Sequence, residues 1–229
     1  MRVLVLTSGG VDSTTCLGMA VEEYGKENVV ALSISYGQKH VKEIEAAKKV
    51  VDYYGVESIY MDLAPIFAYS DCSLLTHSPD SIPHDSYAEQ LSETDGKPVS
   101  TYVPFRNGLF LSTAASVALS KKCDIIYYGA HSDDAAGSAY PDCSTSFNDA
   151  MSKAIYEGSG GQLRIEAPFV TWTKKDIVKK GLEIGVPYQY TWSCYEGSKK
   201  PCGVCGTCID RQKAFIQNGV KDPLLLEEE

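Results

Sequence analysis

Apolar residues follow two rhythms along this chain. Residues 3 to 6 (VLVL) form a short continuous run that stops at Thr7-Ser8-Gly9-Gly10, the pattern of a strand buried on both faces of a parallel sheet. Similar runs recur at 29 to 34, 58 to 61 and 124 to 129. Between the second and third, Val41, Ile44, Ala47, Val51 and Tyr54 return every three or four positions, with Lys42, Glu45, Lys48, Lys49 and Asp52 opposite them. That spacing predicts a surface helix lying on a sheet. Another helix is expected to begin near Ser13. Ala, Leu and Ser over 107 to 119 predict a more buried helix. Two more are expected at 149 to 156 and 173 to 182, the last opened by Thr173 with Asp176 three residues on, a weaker relative of the capping box. Strands alternating with helices imply an α/β fold with a doubly wound, mostly parallel sheet.

Two segments break the rhythm. Residues 69 to 101 carry three prolines and many Ser, Asp and Thr with little periodicity, which suits either a functional lid or an irregular surface excursion. Residues 185 to 210 hold Pro187, Trp192, Pro201 and a crowd of cysteines. The expected organisation is an α/β domain over 1 to 184, with 69 to 101 as a long loop or lid, and a small helical metal-binding segment over 185 to 229.

Charge and composition narrow the function classes. The 229 residues include 21 Lys and Arg against 30 Asp and Glu, a formal charge of -9. Non-specific nucleic-acid binding rests on neutralising phosphates, so such a chain is not expected to take nucleic acid as its main partner. The four-residue apolar run near the start is short for a secretory signal. No stretch approaches the roughly 18 to 20 apolar residues of a membrane helix. A cytoplasmic protein with no membrane partner is expected. In that reducing compartment disulfides are the weaker use for eight cysteines. Cys16, Cys72, Cys123 and Cys143 are scattered, whereas Cys194, Cys202, Cys205 and Cys208 crowd together with Gly203 and Gly206 between them. Four thiolates suit one tetrahedral zinc ion, closed to water and therefore structural. An iron-sulfur cluster is the competing occupant, although the ferredoxin continuation C-x3-C-P is missing here.

The turn Thr7-Ser8-Gly9-Gly10-Val11-Asp12-Ser13 lies between a buried strand and a helix start. There the free N–H groups of a first helical turn meet an anion, glycine lets backbone approach it, and Ser8 and Ser13 can donate further. Neither GxxxxGK[ST] nor GxGxxG is present. Two glycines after a strand also suit a plain tight turn, but SGGVDS resembles the PP-loop of the N-type ATP pyrophosphatases. Asp12 beside phosphate requires a cation between them, so it is a candidate Mg²⁺ ligand; otherwise it is a first-turn acid favouring the helix dipole.

Six stretches then carry a wider resemblance: SGGVDSTTCLG (8 to 18), SYGQKHVKE (35 to 43), VPFRNGLFLS (103 to 112), YPDC (140 to 143), TWSCYEG (191 to 197) and PCGVCGTC (201 to 208). Together they resemble the 7-cyano-7-deazaguanine synthase family of queuosine biosynthesis. The resemblance implies an adenine nucleotide alpha-hydrolase-like fold and an ATP-dependent carbon-nitrogen ligase. It would join ammonia to 7-carboxy-7-deazaguanine and form a nitrile through adenylated intermediates, with Mg²⁺, one zinc and a homodimer. It assigns Ser8, Gly9, Gly10, Val11, Asp12, Ser13, Thr14, Thr15, Cys16, Leu17 and Gly18 to ATP. It assigns Asp12, Ser13, Arg106 and Lys174 to catalysis. Tyr36, Gln38, His40, Glu43, Asn107, His131, Asp134, Tyr140 and Asp142 go to the substrate, and Cys194, Cys202, Cys205 and Cys208 to the metal. His40 and Glu43 equally suit the polar face of a helix start, Arg106 a surface ion pair, and Lys174 an exposed lysine. The chain departs from the family's shorter segment before Tyr140, and Ser144 stands where the family commonly has Arg. The rivals are a PP-loop enzyme that thiolates or aminates an adenylated tRNA base, for which Cys143 or an open metal cluster would carry sulfur, and a nucleotide-binding zinc module without catalysis.

Overall fold

In the computed structural model, residues 1–39, 41–85, 87–92, 94, 97–136, 139–197 and 199–226 are described. Five strands pair in parallel: β1 (Val3–Leu6), β2 (Val29–Ser35), β3 (Glu57–Asp62), β4 (Ile125–Tyr127) and β5 (Arg164–Glu166). Their order is β3-β2-β1-β4-β5, so the winding reverses between β1 and β4. Val3 pairs with Val29 on one side and Ile125 on the other. Strand side chains alternate between faces, which sorts the core in two. Val3, Val5, Val29, Ala31, Ile125 and Tyr127 belong to one buried cluster, while Leu4, Val30, Leu32, Ile126 and Tyr128 belong to the other.

Helices cover both faces. The first cluster is completed by α1 (Val11–Tyr24), α2 (Lys42–Tyr54), α7 (Lys174–Glu183) and α8 (Gly206–Gln217). The second is completed by α4 (Arg106–Ser120) and α6 (Thr145–Gly158). The short helices α3 (Tyr87–Ser92) and α5 (Ser132–Ala135) lie in connections. The doubly wound parallel sheet expected from the alternation of elements is present, and it is wholly parallel. β5 has no continuous apolar run to announce it: its Arg164 and Glu166 flank a single Ile165, and it exists because β4 offers an unpaired edge. α4 buries only the stripe Gly108, Leu111, Ala114 and Ala118, so the helix expected to be buried is one-sided. At α7 the capping box is complete, with Asp176 in the role more often filled by Glu.

Two irregular regions pack onto this frame. Residues 72 to 75 lie over the carboxyl end of β2: Cys72, Leu74 and Leu75 are buried with Tyr36, Phe67 and Val103, and Leu75 forms a bridge with Gln38. Their side chains lack periodicity because consecutive turns, not an extended element, place them. Residues 185 to 226 are held from below by Tyr188. Its ring fills the space a side chain at Gly181 would need, and its hydroxyl meets Thr15 Oγ1 at 2.8 Å. Arg211 and Asp222 close the same region with a buried two-pronged ion pair, Nε to Oδ2 at 2.6 Å and Nη2 to Oδ1 at 2.9 Å.

Candidate active site

A cleft of about 220 Å³ opens beyond the carboxyl ends of β1 and β4. This is where an open α/β sheet binds ligands, because the crossovers on either side of the switch point leave a gap there. Its floor is the glycine turn. Gly9 has φ +84, and a Cβ on it would fall 2.4 Å from the Ala47 nitrogen and 2.6 Å from the Glu43 carbonyl oxygen. Only glycine lets the loop pass so close beneath α2. Gly10 then N-caps α1 with no side-chain bond, leaving the helix's first-turn N–H groups without intrahelical acceptors. The Ser8 N–H donates to Ser13 Oγ at 3.1 Å, and the two hydroxyls lie 3.0 Å apart. The arrangement can hold an anion with backbone donors and two serines.

Charged side chains gather at one end. Lys174 Nζ donates to Asp12 Oδ2 at 2.5 Å and lies 3.4 Å from His131 Nε2, which is itself 3.3 Å from Asp134 Oδ2. Burial alone would raise the Asp12 pKa, but Lys174 and His131 outweigh it and the net shift is downward. Burial likewise works against charge on Lys174, while Asp12, Asp134 and Asp210 hold its pKa above the ordinary lysine value. The backbone N–H of Lys174 donates to Asp133 Oδ2 at 2.7 Å. Neighbouring acids thus divide the work: Asp133 tethers the start of α7, and Asp134 faces His131. Asp12 Oδ1 is buried with no partner among the described residues, an acceptor that suits a cation arriving with phosphate.

Arg106 dominates the other end. It follows Phe105, whose φ of +54 is left-handed and whose ring packs where a side chain at Gly108 would sit. That turn starts α4 with Arg106 over the Tyr36 ring, 5.1 Å from its centroid. Burial disfavours its charge, yet Tyr36, Tyr195 and Asp142 keep the guanidinium pKa above its ordinary value. Facing it, Glu43 has its carboxyl pushed up to about 7 by burial, only partly countered by Arg106.

The far wall comes from the C-terminal segment: Trp192, Ser193, Tyr195, Thr207 and Asp210 all line the cleft. Trp192 is the join. Its backbone N–H donates to Gly9 O at 2.9 Å, its indole N–H donates to Cys194 O at 2.9 Å, and Lys42 Nζ sits 4.2 Å from its ring. Beyond it, one sulfur from each of Cys194, Cys202, Cys205 and Cys208 lies within 4.8 Å of the others. A tetrahedral Zn–S bond of about 2.3 Å puts sulfurs roughly 3.8 Å apart, so the four could hold one metal ion such as zinc. The Cys202 N–H donates to Cys194 Sγ and the Cys205 N–H to Cys202 Sγ, both at 3.3 Å, as suits thiolate ligands.

The cleft brings together Ser8, Gly10, Val11, Asp12, Ser13, Tyr36, Gln38, Glu43, Arg106, Asn107, His131, Asp134 and Lys174 from the residues singled out by sequence. Others sit elsewhere. Thr15 hydrogen-bonds to Tyr188, Cys16 and Leu17 are core, and Gly18 makes room for Tyr54 and Val186, because these residues lie on the buried side of α1. Thr14 is fully buried as well. Tyr140 and Asp142 stand behind the wall. Tyr140 meets Thr101 Oγ1 at 2.6 Å, and Asp142 accepts the Asn107 N–H at 2.8 Å, capping α4. His40 lies outside the described residues. Trp192 and Tyr195 lie in the TWSCYEG stretch but received no role there, and Asp210 lies outside every quoted stretch; these helix and loop positions become site positions only when the cysteine-rich segment folds back.

A model of the queuosine biosynthesis protein QueC matches residues 2–219. The chain belongs to the QueC family. The 7-cyano-7-deazaguanine synthase of Archaeoglobus fulgidus is 42% identical over 230 residues, covering 100% of this chain and 92% of that protein. That of Caldicellulosiruptor saccharolyticus is 44% identical over 229 residues, covering 100% and 97%. The U34-tRNA thiolase NcsA from Methanococcus maripaludis, solved with its 4Fe-4S cluster, shares the fold: TM-score 0.51 and 16% identity, covering 95% of this chain and 66% of that one. No helix among the described residues of this QueC-family chain is long and apolar enough to cross a membrane.

Proposed function

We propose that this chain is the ATP-dependent ligase that converts 7-carboxy-7-deazaguanine and ammonia to 7-cyano-7-deazaguanine, releasing AMP and pyrophosphate. The observation that carries this is the convergence of the glycine turn, Lys174 and Arg106 in one cleft of a chain that matches the QueC model almost end to end. A carboxylate is a poor acylating agent. Its oxygen attacks the α phosphorus of ATP, the bond to pyrophosphate breaks, and an acyl-adenylate forms with AMP as leaving group. Ammonia displaces AMP to give the amide, whose oxygen is adenylated in turn before AMP departs and leaves the nitrile. The α1 N-terminus, Ser8, Ser13 and Lys174 hold the phosphates and stabilise the charge that develops on them. Arg106 binds the substrate carboxylate through its planar fork. Asp12 Oδ1 would hold Mg²⁺, which when bound screens the phosphates from that carboxylate. Cys194, Cys202, Cys205 and Cys208 would hold zinc, a closed structural ion that keeps the far wall in place. The same reading includes free ammonia as nitrogen donor, a cytoplasmic location and a homodimer, the last open to sedimentation.

Pyrophosphate release measured with ATP, Mg²⁺, ammonia and 7-carboxy-7-deazaguanine tests the proposal. No release above the background without the deazaguanine, from folded metal-loaded protein, sinks it. One observation favours a second reading, sulfur transfer to a tRNA base: Cys143 lines the cleft. Against it, burial together with Asp134 and Asp142 holds the Cys143 thiol well above its ordinary pKa, so it is a poor nucleophile. Cys143→Ser should leave ammonia-dependent turnover within about threefold; a larger loss, or a brown protein with an iron cluster, revives sulfur chemistry.

A further inference from the structure

We propose that Glu43 is the base that strips protons from the nitrogen as it becomes first an amide and then a nitrile. The inference rests on the ligase reading and adds a catalytic residue to it. Ammonia begins with three hydrogens and the nitrile nitrogen ends with none. In the amide-forming step the ammonia lone pair makes the C–N bond, the bond from carbon to the AMP oxygen breaks with its electrons on AMP, and one N–H proton must leave. Adenylating the amide and expelling the second AMP release two more as the C–N bond becomes triple. Those protons need an acceptor beside the reacting carbon.

Four carboxylates line the cleft: Asp12, Glu43, Asp134 and Asp210. Three of them face the phosphate end. Asp12 is bound by Lys174, Asp134 lies against His131, and Asp210 acts on Lys174. Glu43 faces the other end. The first turn of α2 carries it beside Gly9, and it shares that end with Arg106 from α4 and Tyr36 after β2. A substrate carboxylate held by Arg106 therefore puts its carbon next to Glu43 and away from the other three acids. Glu43 makes no hydrogen bond or ion pair of its own among the described residues, so its lone pairs are free for a proton. Burial opposes charge on its carboxyl, and the Arg106 guanidinium opposes protonation. Its elevated pKa, about 7, makes it a stronger base than an ordinary carboxylate while leaving much of it ionised at neutral pH.

Two reactions of the metal-loaded full chain separate the roles. ATP–pyrophosphate exchange that depends on 7-carboxy-7-deazaguanine, run without ammonia, reports adenylation alone. Nitrile formation with ammonium chloride reports the proton-releasing steps. For Glu43→Gln we expect nitrile formation to fall about 100- to 10,000-fold, at least tenfold more than exchange. Glu43→Asp should recover part of the loss, and Glu43→Ala should regain at least tenfold in formate. Parallel loss of both reactions, a Glu43→Gln variant within threefold of wild type in nitrile formation, or the same split produced by Asp210→Asn instead, would overturn the assignment. Absence of exchange in the wild-type chain would remove the ligase reading itself and the proposal with it.

Discussion

On the β1 side of the cleft the wall is main chain: a strand end, two glycines and the open first turn of α1, all within ten residues of sequence. Across from it, Trp192 and Tyr195 reach the cleft from a loop and Asp210 from α8, secured by Tyr188, the Arg211–Asp222 pair and the cysteine cluster. The first wall draws its geometry from the sheet, whose strands are buried on both faces. The second draws it from a handful of cross-links. They meet at one backbone bond, Trp192 N–H to Gly9 O. A floor made of core tolerates almost no change in shape, whereas a wall made of cross-links can be removed one link at a time.

Gly9→Ala is expected to do the most damage. A methyl there would meet the backbone of Ala46, Ala47 and Glu43, which cannot move without shifting α2. A loss of more than about 3 kcal/mol is expected by chemical denaturation; a variant that melts within about 2 °C of wild type would mean the floor is softer than its geometry. Metal removal should strike the other wall alone. Chelation, or Cys205→Ser, should shift Trp192 fluorescence and expose residues 192 to 208 to hydrogen exchange while β1 to β4 stay protected. Equal loss of protection in the sheet would show that the two walls are one cooperative unit.

Lys174→Met strips the cation shared by Asp12 and Asp134 at the floor's rim, with an expected cost of about 2–3 kcal/mol at neutral pH. The Asp12 pKa is lowered in the fold, so its contribution is present above the unfolded carboxylate value near 3.8 and disappears as pH falls through the lower folded value. The Lys174 pKa is raised, so its share persists until pH climbs past 10.5. The stability gap between wild type and variant should thus be level from about pH 5 to 9 and shrink in strong acid; a gap that widens in acid would contradict the pairing. Glu43→Gln has the smallest expected effect on stability and the opposite sign. Glu43 has a folded pKa raised from 4.5 to about 7, so wild type loses stability as pH climbs across that window and the glutamine variant does not. Relative to wild type, the variant should gain about 1–3 kcal/mol between pH 4 and pH 8; no gain would place Glu43 in water.

Much of the floor was legible in the chain. VLVL followed by SGGVDS announces a buried strand, a glycine turn and a helix start, because each is a local consequence of side-chain period and backbone freedom. The close spacing of the four cysteines announces a cluster that could hold a metal ion. The extension of the nucleotide loop to Thr15, Cys16, Leu17 and Gly18 did not carry into the cleft, since a helix turns 100° per residue and the core claims its inner face. Tyr140 and Asp142 belong to the same stretch as Cys143, yet only Cys143 faces the cleft, and the turn between α5 and α6 decides which.

By itself the sequence determined the alternation of the first four strands with helices, the doubly wound class, the glycine turn and the cysteine cluster, because all of these depend on residues close together in the chain. Tertiary structure alone decided that β5 joins the sheet, that Lys174 lies between Asp12 and Asp134, and that Asp210 and Trp192 complete the cleft. Those outcomes depend on where α7 and the metal segment land against β1 and α1. That is a matter of packing and desolvation across more than a hundred residues, for which no local pattern exists.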